Sequence, residues 1–171
     1  IWHINYPIDG SNDYITVATT RPETLFGDMA IAINPNDSRY KSMIGKYALL
    51  PFVNRKLPII GDEYVDMDFG TGCLKITPGH DFNDYEIGKK YNLHEKDGTV
   101  LTSKNIDDFK PINIFNDDAC TNENVPEPFN DLDRFKVRKL AIKELDKLKL
   151  LVNEEEYDIS VPRGERSNIV I

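Results

Sequence analysis

A chain of 171 residues, 40% hydrophobic and 29% charged, can bury the core of one soluble domain, and no apolar run approaches the roughly 18–20 residues needed to span a bilayer. A net charge of −8 excludes a broad basic surface that grips nucleic acid non-specifically, while leaving room for local cations around one or two phosphates. Cys73 and Cys120 lie far apart with no Cys-x-x-Cys spacing, so they read as reduced thiols rather than as zinc ligands.

Ile1-Trp2-His3-Ile4 carries no start methionine and no basic leader, and reads as the beginning of a piece of a longer chain. Trp2 to Ile8 alternates and ends in Pro7-Ile8-Asp9-Gly10, a strand followed by a turn. Tyr14 to Thr19 is rich in β-branched residues and predicts a second strand, paired with the first as a hairpin. Met29 to Ile33 predicts a short buried strand stopped by Asn34-Pro35. Asp37 to Ile44 predicts a short helix ending at Gly45, and Tyr47 to Leu50 and Leu57 to Ile60 predict further strands.

Gly72 to Thr77 predicts a strand entered from a Gly-Thr-Gly turn and stopped by Pro78-Gly79, with a helix over His80–Tyr91. From Leu93 to Pro128 the chain is polar and punctuated by proline, predicting loops with one strand at Ile112–Phe115. Asp133 to Leu151 predicts the longest helix, with Val137, Ala141, Leu145 and Leu148 on one stripe. Glu154-Glu155-Glu156 reads as a solvated acidic loop. Ile159–Val161 and Ile169–Ile171 return to strand-like residues, so that both ends suit insertion into a host chain through two strands. Many short strands with few helices predict a β-rich α/β fold, with a barrel-like sheet core and peripheral helices in a single domain over residues 1–171.

Two clusters carry candidate chemistry. The first, Thr19-Thr20-Arg21-Pro22-Glu23-Thr24, groups hydroxyls around one arginine at a strand end. The second runs from Gly70 through Lys75 and Thr77 to His80-Asp81-Phe82-Asn83-Asp84. Strand alternation places Lys75 and Thr77 on one face, opposite the core-facing Leu74 and Ile76. Asp81 and Asp84, three residues apart at a helix start, share one helix face. The same pair also reads as a helix cap plus a favourable first-turn charge, Lys75 as a solvated strand residue, and His80 with the two aspartates as a weak metal set. His3 and His94 read as incidental. No Gly-x-Ser-x-Gly elbow occurs, and neither cysteine neighbours a histidine.

Together, Ala18 to Asp28 and Gly70 to Glu86 resemble the two motifs of the valyl-tRNA synthetase editing domain. Ile59 to Tyr64, Leu132-Asp133-Arg134-Phe135, Arg138-Lys139 and Val161-Pro162 fit the same family. Gly79 departs from its usual alanine, and His94 to Pro111 departs from its pattern. Leucyl editing domains share Thr-Thr-Arg-Pro, but follow it with Asp and carry a basic residue where Asn83 stands. Isoleucyl ones lack the arginine. The synthetic-site signatures His-Ile-Gly-His and Lys-Met-Ser-Lys-Ser are absent.

This resemblance implies an ester hydrolase acting on threonine misattached to valine tRNA. Threonine is nearly isosteric with valine, so an apolar synthetic pocket rejects it poorly, as valyl enzymes themselves exemplify. It implies Asp81, Lys75 and Thr77 as catalytic residues, with Asp81 on the substrate ammonium. Asp84, Thr19, Thr20, Thr24 and Phe69 bind the substrate, Asp84 taking the threonine hydroxyl; Arg21 and Lys75 hold the tRNA end. No metal and no cofactor are expected, ATP being used only by the synthetic part of the enzyme. The expected partners are the aminoacylated 3′ end of the tRNA and the rest of the synthetase chain, in a cytoplasmic monomer. The competing readings are a leucyl or isoleucyl editing domain, a non-catalytic binder of the tRNA acceptor end, and a metal-dependent hydrolase.

Overall fold

The computed structural model describes residues 1–158. The strand-like segments 159–161 and 169–171, and Val161-Pro162, lie outside the described residues.

The first sheet grows from the N-terminal hairpin. β1 (Trp2–Pro7) and β2 (Tyr14–Thr19) pair antiparallel from Trp2↔Thr19 to Pro7↔Tyr14. Alternation sends Ile4, Tyr6, Ile15 and Val17 into the core. Of the second sheet, β3 (Ala30–Ile33), β4 (Tyr47–Leu49), β5 (Lys56–Gly61) and β6 (Cys73–Ile76) follow in chain order. β3 is buried at all four positions and lies inside its sheet, with β5 parallel on one side and β6 antiparallel on the other. Its unbroken apolar sequence is that of a strand covered on both faces.

Asp37 to Ile44 forms only a 3-10 turn at Lys41–Met43 rather than a helix. The Asp37 carboxylate is taken by the Arg39 backbone and guanidinium, which favours turns over helix propagation. After α1 (Phe82–Lys90), a hairpin of β7 (His94–Lys96) and β8 (Thr99–Leu101) stands where loops were expected. Its turn is Asp97-Gly98, both at positive φ, a pair that favours the twist of a two-residue hairpin turn. The strand expected at Ile112–Phe115 is reduced to one bridge, Phe115↔Thr121.

α2 (Arg134–Lys147) is capped by Asp133 and buries Val137, Ala141 and Leu145, while Leu148 lies exposed beyond its end. The helix stops early. Lys149 sits at φ +58 with its N–H on the Asp146 carbonyl, and the Leu150 N–H returns to Leu145. These are the two bonds of a Schellman ending, made here without glycine. The freed residues form β9 (Leu151–Glu154), which pairs with β1. Glu154 is thus a strand residue opposite Trp2.

The sheets are ordered β2-β1-β9 and β6-β3-β5-β8-β7, with β4 on β5. The fold is mixed α/β and sheet-rich, as expected, but the barrel is not closed: β2 and β6 approach without a hydrogen-bonded ladder between them. No helix of the described residues is long and apolar enough to cross a membrane.

Candidate functional site

Both sequence clusters end at the junction of β2 and β6. From β2 the chain passes Thr20-Arg21 into a buried 3-10 turn, Pro22–Gly27, whose proline suits the first turn. From β6 it passes Thr77-Pro78-Gly79-His80 into α1. A cleft of about 550 Å³ opens between them. Thr19, Thr20, Arg21 and Thr24 line one side; Lys75, Thr77, Asp81 and Asp84 line the other, with Phe69 at the mouth. The nine residues expected to bind or act on the substrate and the tRNA end all line this cleft.

The floor is a buried polar network. The Lys75 ammonium donates to Asp28 Oδ1 at 2.8 Å, Thr24 Oγ1 at 2.9 Å and Thr77 Oγ1 at 2.6 Å. The Thr77 hydroxyl donates to Asp28 Oδ1 at 2.6 Å, and the Tyr6 hydroxyl to Asp28 Oδ2 at 2.7 Å. Lys75 and Thr77 do share a face, but that face is covered: they are 6% and 2% exposed, and Leu74 is the half-buried residue. An ammonium has three protons, and all three are committed inside the protein. None remains for a tRNA phosphate, so the expectation that Lys75 grips the tRNA end does not fit this arrangement.

Asp28, fully buried, was not among the expected site residues. Its signal was present: a lone acid inside Leu25-Phe26-Gly27-Asp28-Met29-Ala30 must find a partner, because an unpaired buried charge is prohibitive. Tyr6 feels the same burial and the same carboxylate, which hold its phenol well above its ordinary pKa.

Asp81 and Asp84 take different roles on one helix turn. Asp81 is exposed and caps α1, its Oδ1 accepting from the Asn83 and Asp84 N–H groups at 2.9 and 3.1 Å. Asp84 is buried, and its Oδ2 accepts the Thr77 N–H at 2.8 Å. Burial is the main cause that lifts its pKa to about 6, against the Thr77 hydrogen bond and the Lys75 charge, with Asp81 and Asp28 adding to the rise. One oxygen of each carboxylate is used by backbone and the other has no protein partner among the described residues.

Arg21 spans the two clusters, donating through Nη1 to the His80 carbonyl at 2.8 Å. Glu23, in the buried turn, receives two bonds from Arg138 of α2 at 2.7 and 2.8 Å. This bidentate pair is separated by 115 residues and braces the threonine-rich segment from behind. Thr24 Oγ1 also donates to the Arg21 carbonyl, and Thr19 Oγ1 accepts the Arg21 N–H, so the hydroxyls hold the turn as well as lining the cleft. Phe69 is 51% exposed, edge-on to Tyr157.

Neither cysteine offers a thiolate: burial pushes Cys73 up to about 12, and Cys120 is also raised, by desolvation and then by Asp118. No three His, Cys, Asp or Glu side chains among the described residues converge as a metal set.

Comparison with known proteins bears on the family and the fold. A family model described as "Leucyl-tRNA synthetase, editing domain" matches residues 41–145, more than half of the chain. The whole chain is 48% identical to valine--tRNA ligase of Coxiella burnetii, covering 17% of it, and 48% identical to that of Pelagibacter ubique, covering 18%. The valine--tRNA ligase of Dechloromonas aromatica is 45% identical, with 16% covered. The chain thus spans less than a fifth of these relatives. Among solved structures, GlLeuRS-CP1 superposes with a TM-score of 0.65 at 14% identity, over 88% of this chain and 87% of that one. The ternary complex of Agrobacterium radiobacter K84 agnB2 LeuRS-tRNA-LeuAMS superposes at 0.61 and 18% identity, over 87% of this chain and 19% of that one. At these identities the superpositions speak for fold alone. The chain belongs to the editing-domain family of aminoacyl-tRNA synthetases, and valine--tRNA ligases match it over the whole of its own length.

Proposed function

We propose that this domain hydrolyses the ester of threonine misattached to valine tRNA. The observation that carries the reading is the second oxygen of Asp84, which opens from an otherwise buried side chain that lines the cleft and has no protein partner among the described residues. A hydroxyl-bearing side chain satisfies it; the methyl of valine in the same place leaves it desolvated and unpaired, at a cost of about 1–3 kcal/mol or more.

The free oxygen of Asp81 takes the substrate ammonium, while its capping oxygen keeps the carboxylate fixed. Arg21, whose side chain is 40% exposed, holds the ribose or the terminal phosphate. Thr20 lines the wall, and Phe69 packs at the mouth. Lys75 and Asp28 act from below by fixing the hydroxyls of Thr24 and Thr77. With both thiols protonated, water is the nucleophile, and catalysis rests on positioning. The valyl assignment rather than the leucyl one is supported by Glu23 and Asn83, and by identities of 45–48% to valine--tRNA ligases over the whole of this chain. On this reading the domain is carried within a longer cytoplasmic, monomeric synthetase, and ATP is used only elsewhere in that chain.

The test is deacylation of matched threonyl and valyl esters on valine tRNA, with and without a chelator. Threonine should be released faster and the chelator should change nothing. Binding without release points to an acceptor-end binding module, and loss of activity with chelator to a metal hydrolase.

A further inference from the structure

His80 lies in the turn between β6 and α1, and its ring is held on several sides. The Ile114 N–H donates to Nε2 at 3.0 Å. An amide N–H only donates, so Nε2 presents a lone pair and a neutral ring carries its proton on Nδ1. The segment that supplies Ile114 is pressed onto the turn: a β-carbon on Gly79 would collide with the Ile112 carbonyl. Gly27 backs the ring, where an added β-carbon would stand 3.3 Å from Cδ2, and Phe115 meets it edge-on at 5.1 Å.

Burial lowers the pKa of His80 to about 4, with Arg21 and Lys75 acting in the same direction and Glu23 opposing. The ring is therefore neutral at physiological pH, and its one lone pair is occupied, so it is no general base. Its Nδ1 has no hydrogen-bond partner among the described residues, and it is not one of their sealed orphan atoms, which are Trp2 Nε1, His3 Nε2 and Asn92 Oδ1. His80 lines the same cleft as Asp81 and Thr20.

We propose that His80 Nδ1–H is a preset donor to the carbonyl oxygen of the ester being cleaved. The proposal rests on the deacylase reading given above. Water adds to the carbonyl carbon, and the C=O π pair moves onto oxygen, forming the tetrahedral oxyanion that Nδ1–H holds. Collapse restores the C=O bond and breaks the bond to the ribose oxygen, which leaves with one proton of the water. The other proton goes to solvent and the amino acid departs as a carboxylate. A donor fixed in place before the charge develops favours the transition state over the ground state.

His80→Gln separates this role from the tether to Ile114. The longer amide offers its carbonyl oxygen where Nε2 stood, but no donor where Nδ1 stood. The expected result is an unfolding midpoint close to wild type and a kcat for threonyl ester lowered by about 100- to 1000-fold, with KM nearly unchanged. His80→Asn places an amide donor near the Nδ1 position and should retain more activity than Gln. A Gln variant within about threefold of wild-type kcat, or equal losses in both variants that follow loss of stability, overturns the proposal. Nitrogen NMR of the imidazole reads the tautomer without any activity: Nδ1–H is expected, and Nε2–H overturns the proposal. A wild-type chain that releases no threonine would instead count against the deacylase reading.

Discussion

At the floor of the cleft Lys75, Asp28, Thr24 and Thr77 satisfy one another with little exposure to water, whereas at its rim Asp81, Asn83 and Phe69 stand in solvent. Both regions come from the same short stretches of chain, yet a given loss has different consequences in each. At the floor, removing one charge strands another in low dielectric, so fold and activity fail together. At the rim, water replaces a lost partner at little cost, so activity fails while the fold survives. Asp84 stands between them, on an exposed helix yet buried.

The largest effect is expected from Lys75→Met, which leaves the Asp28 carboxylate buried without its cation. Urea denaturation should show a loss of about 3–5 kcal/mol. Combining it with Asp28→Leu should recover much of that stability but no deacylation, because no charge is then stranded while the hydroxyls of Thr24 and Thr77 have lost their organiser. A double variant that is both stable and active would show the floor to be scaffolding only.

Asp84→Asn comes next, and its sign is opposite. The folded protein holds the Asp84 proton more tightly than the unfolded chain does, with a pKa of about 6 against 3.8. The burial penalty is therefore absent below 3.8, grows between those values and is fully felt above about 6, so this group makes stability fall as pH rises. At neutral pH the penalty is on the order of 3 kcal/mol. Asn keeps an acceptor for the Thr77 N–H without the charge, so the variant should melt higher than wild type at pH 7 and lose that advantage in acid. It should also hydrolyse threonyl ester poorly. Asp84→Ala should narrow the threonine-to-valine ratio further. An equal slowing of both esters by Asp84→Ala would assign Asp84 to general catalysis or structure instead of selection.

Asp81→Ala isolates the rim. Loss of the cap should lower stability by only about 1 kcal/mol, while deacylation disappears because the substrate ammonium has lost its counter-charge. A folded Asp81→Ala protein with near-normal turnover would take Asp81 out of the mechanism. The smallest effect concerns Arg21. Binding of the tRNA end should be weak, in keeping with the net charge of −8. Arg21→Gln should flatten the salt dependence of log K by roughly 0.7 if one phosphate contact is lost. An unchanged slope would place Arg21 on the ribose.

Local rules made much of this molecule legible. The apolar alternation of β1 and β2 and the stripe Val137, Ala141, Leu145 follow from periods of two and 3.6, while the unbroken apolar run of β3 and the Asp81 cap follow from residue type, all set among neighbouring residues. The motif residues were legible too, since strand ends and a helix start place them within a few residues of one another. Asp97-Gly98 was readable as a hairpin turn but sat inside a polar, proline-punctuated stretch whose overall composition reads as loop. β9 was hidden because its start lies within a helical period, and the residue that ends the helix is Lys149 rather than glycine.

What the amino-acid order determined alone was therefore the most regular segments, the β1–β2 hairpin, β3 and the body of α2 among them, and which residue types gather at the two motifs. Tertiary structure decided which charges meet. Asp28 finds Lys75 at 47 positions' distance, Glu23 finds Arg138 at 115, and the Ile114 N–H selects a tautomer in His80. No local period encodes such pairings. They arise because burial makes an unpartnered charge or N–H intolerable, and only the packed chain determines which distant group is within reach to answer it.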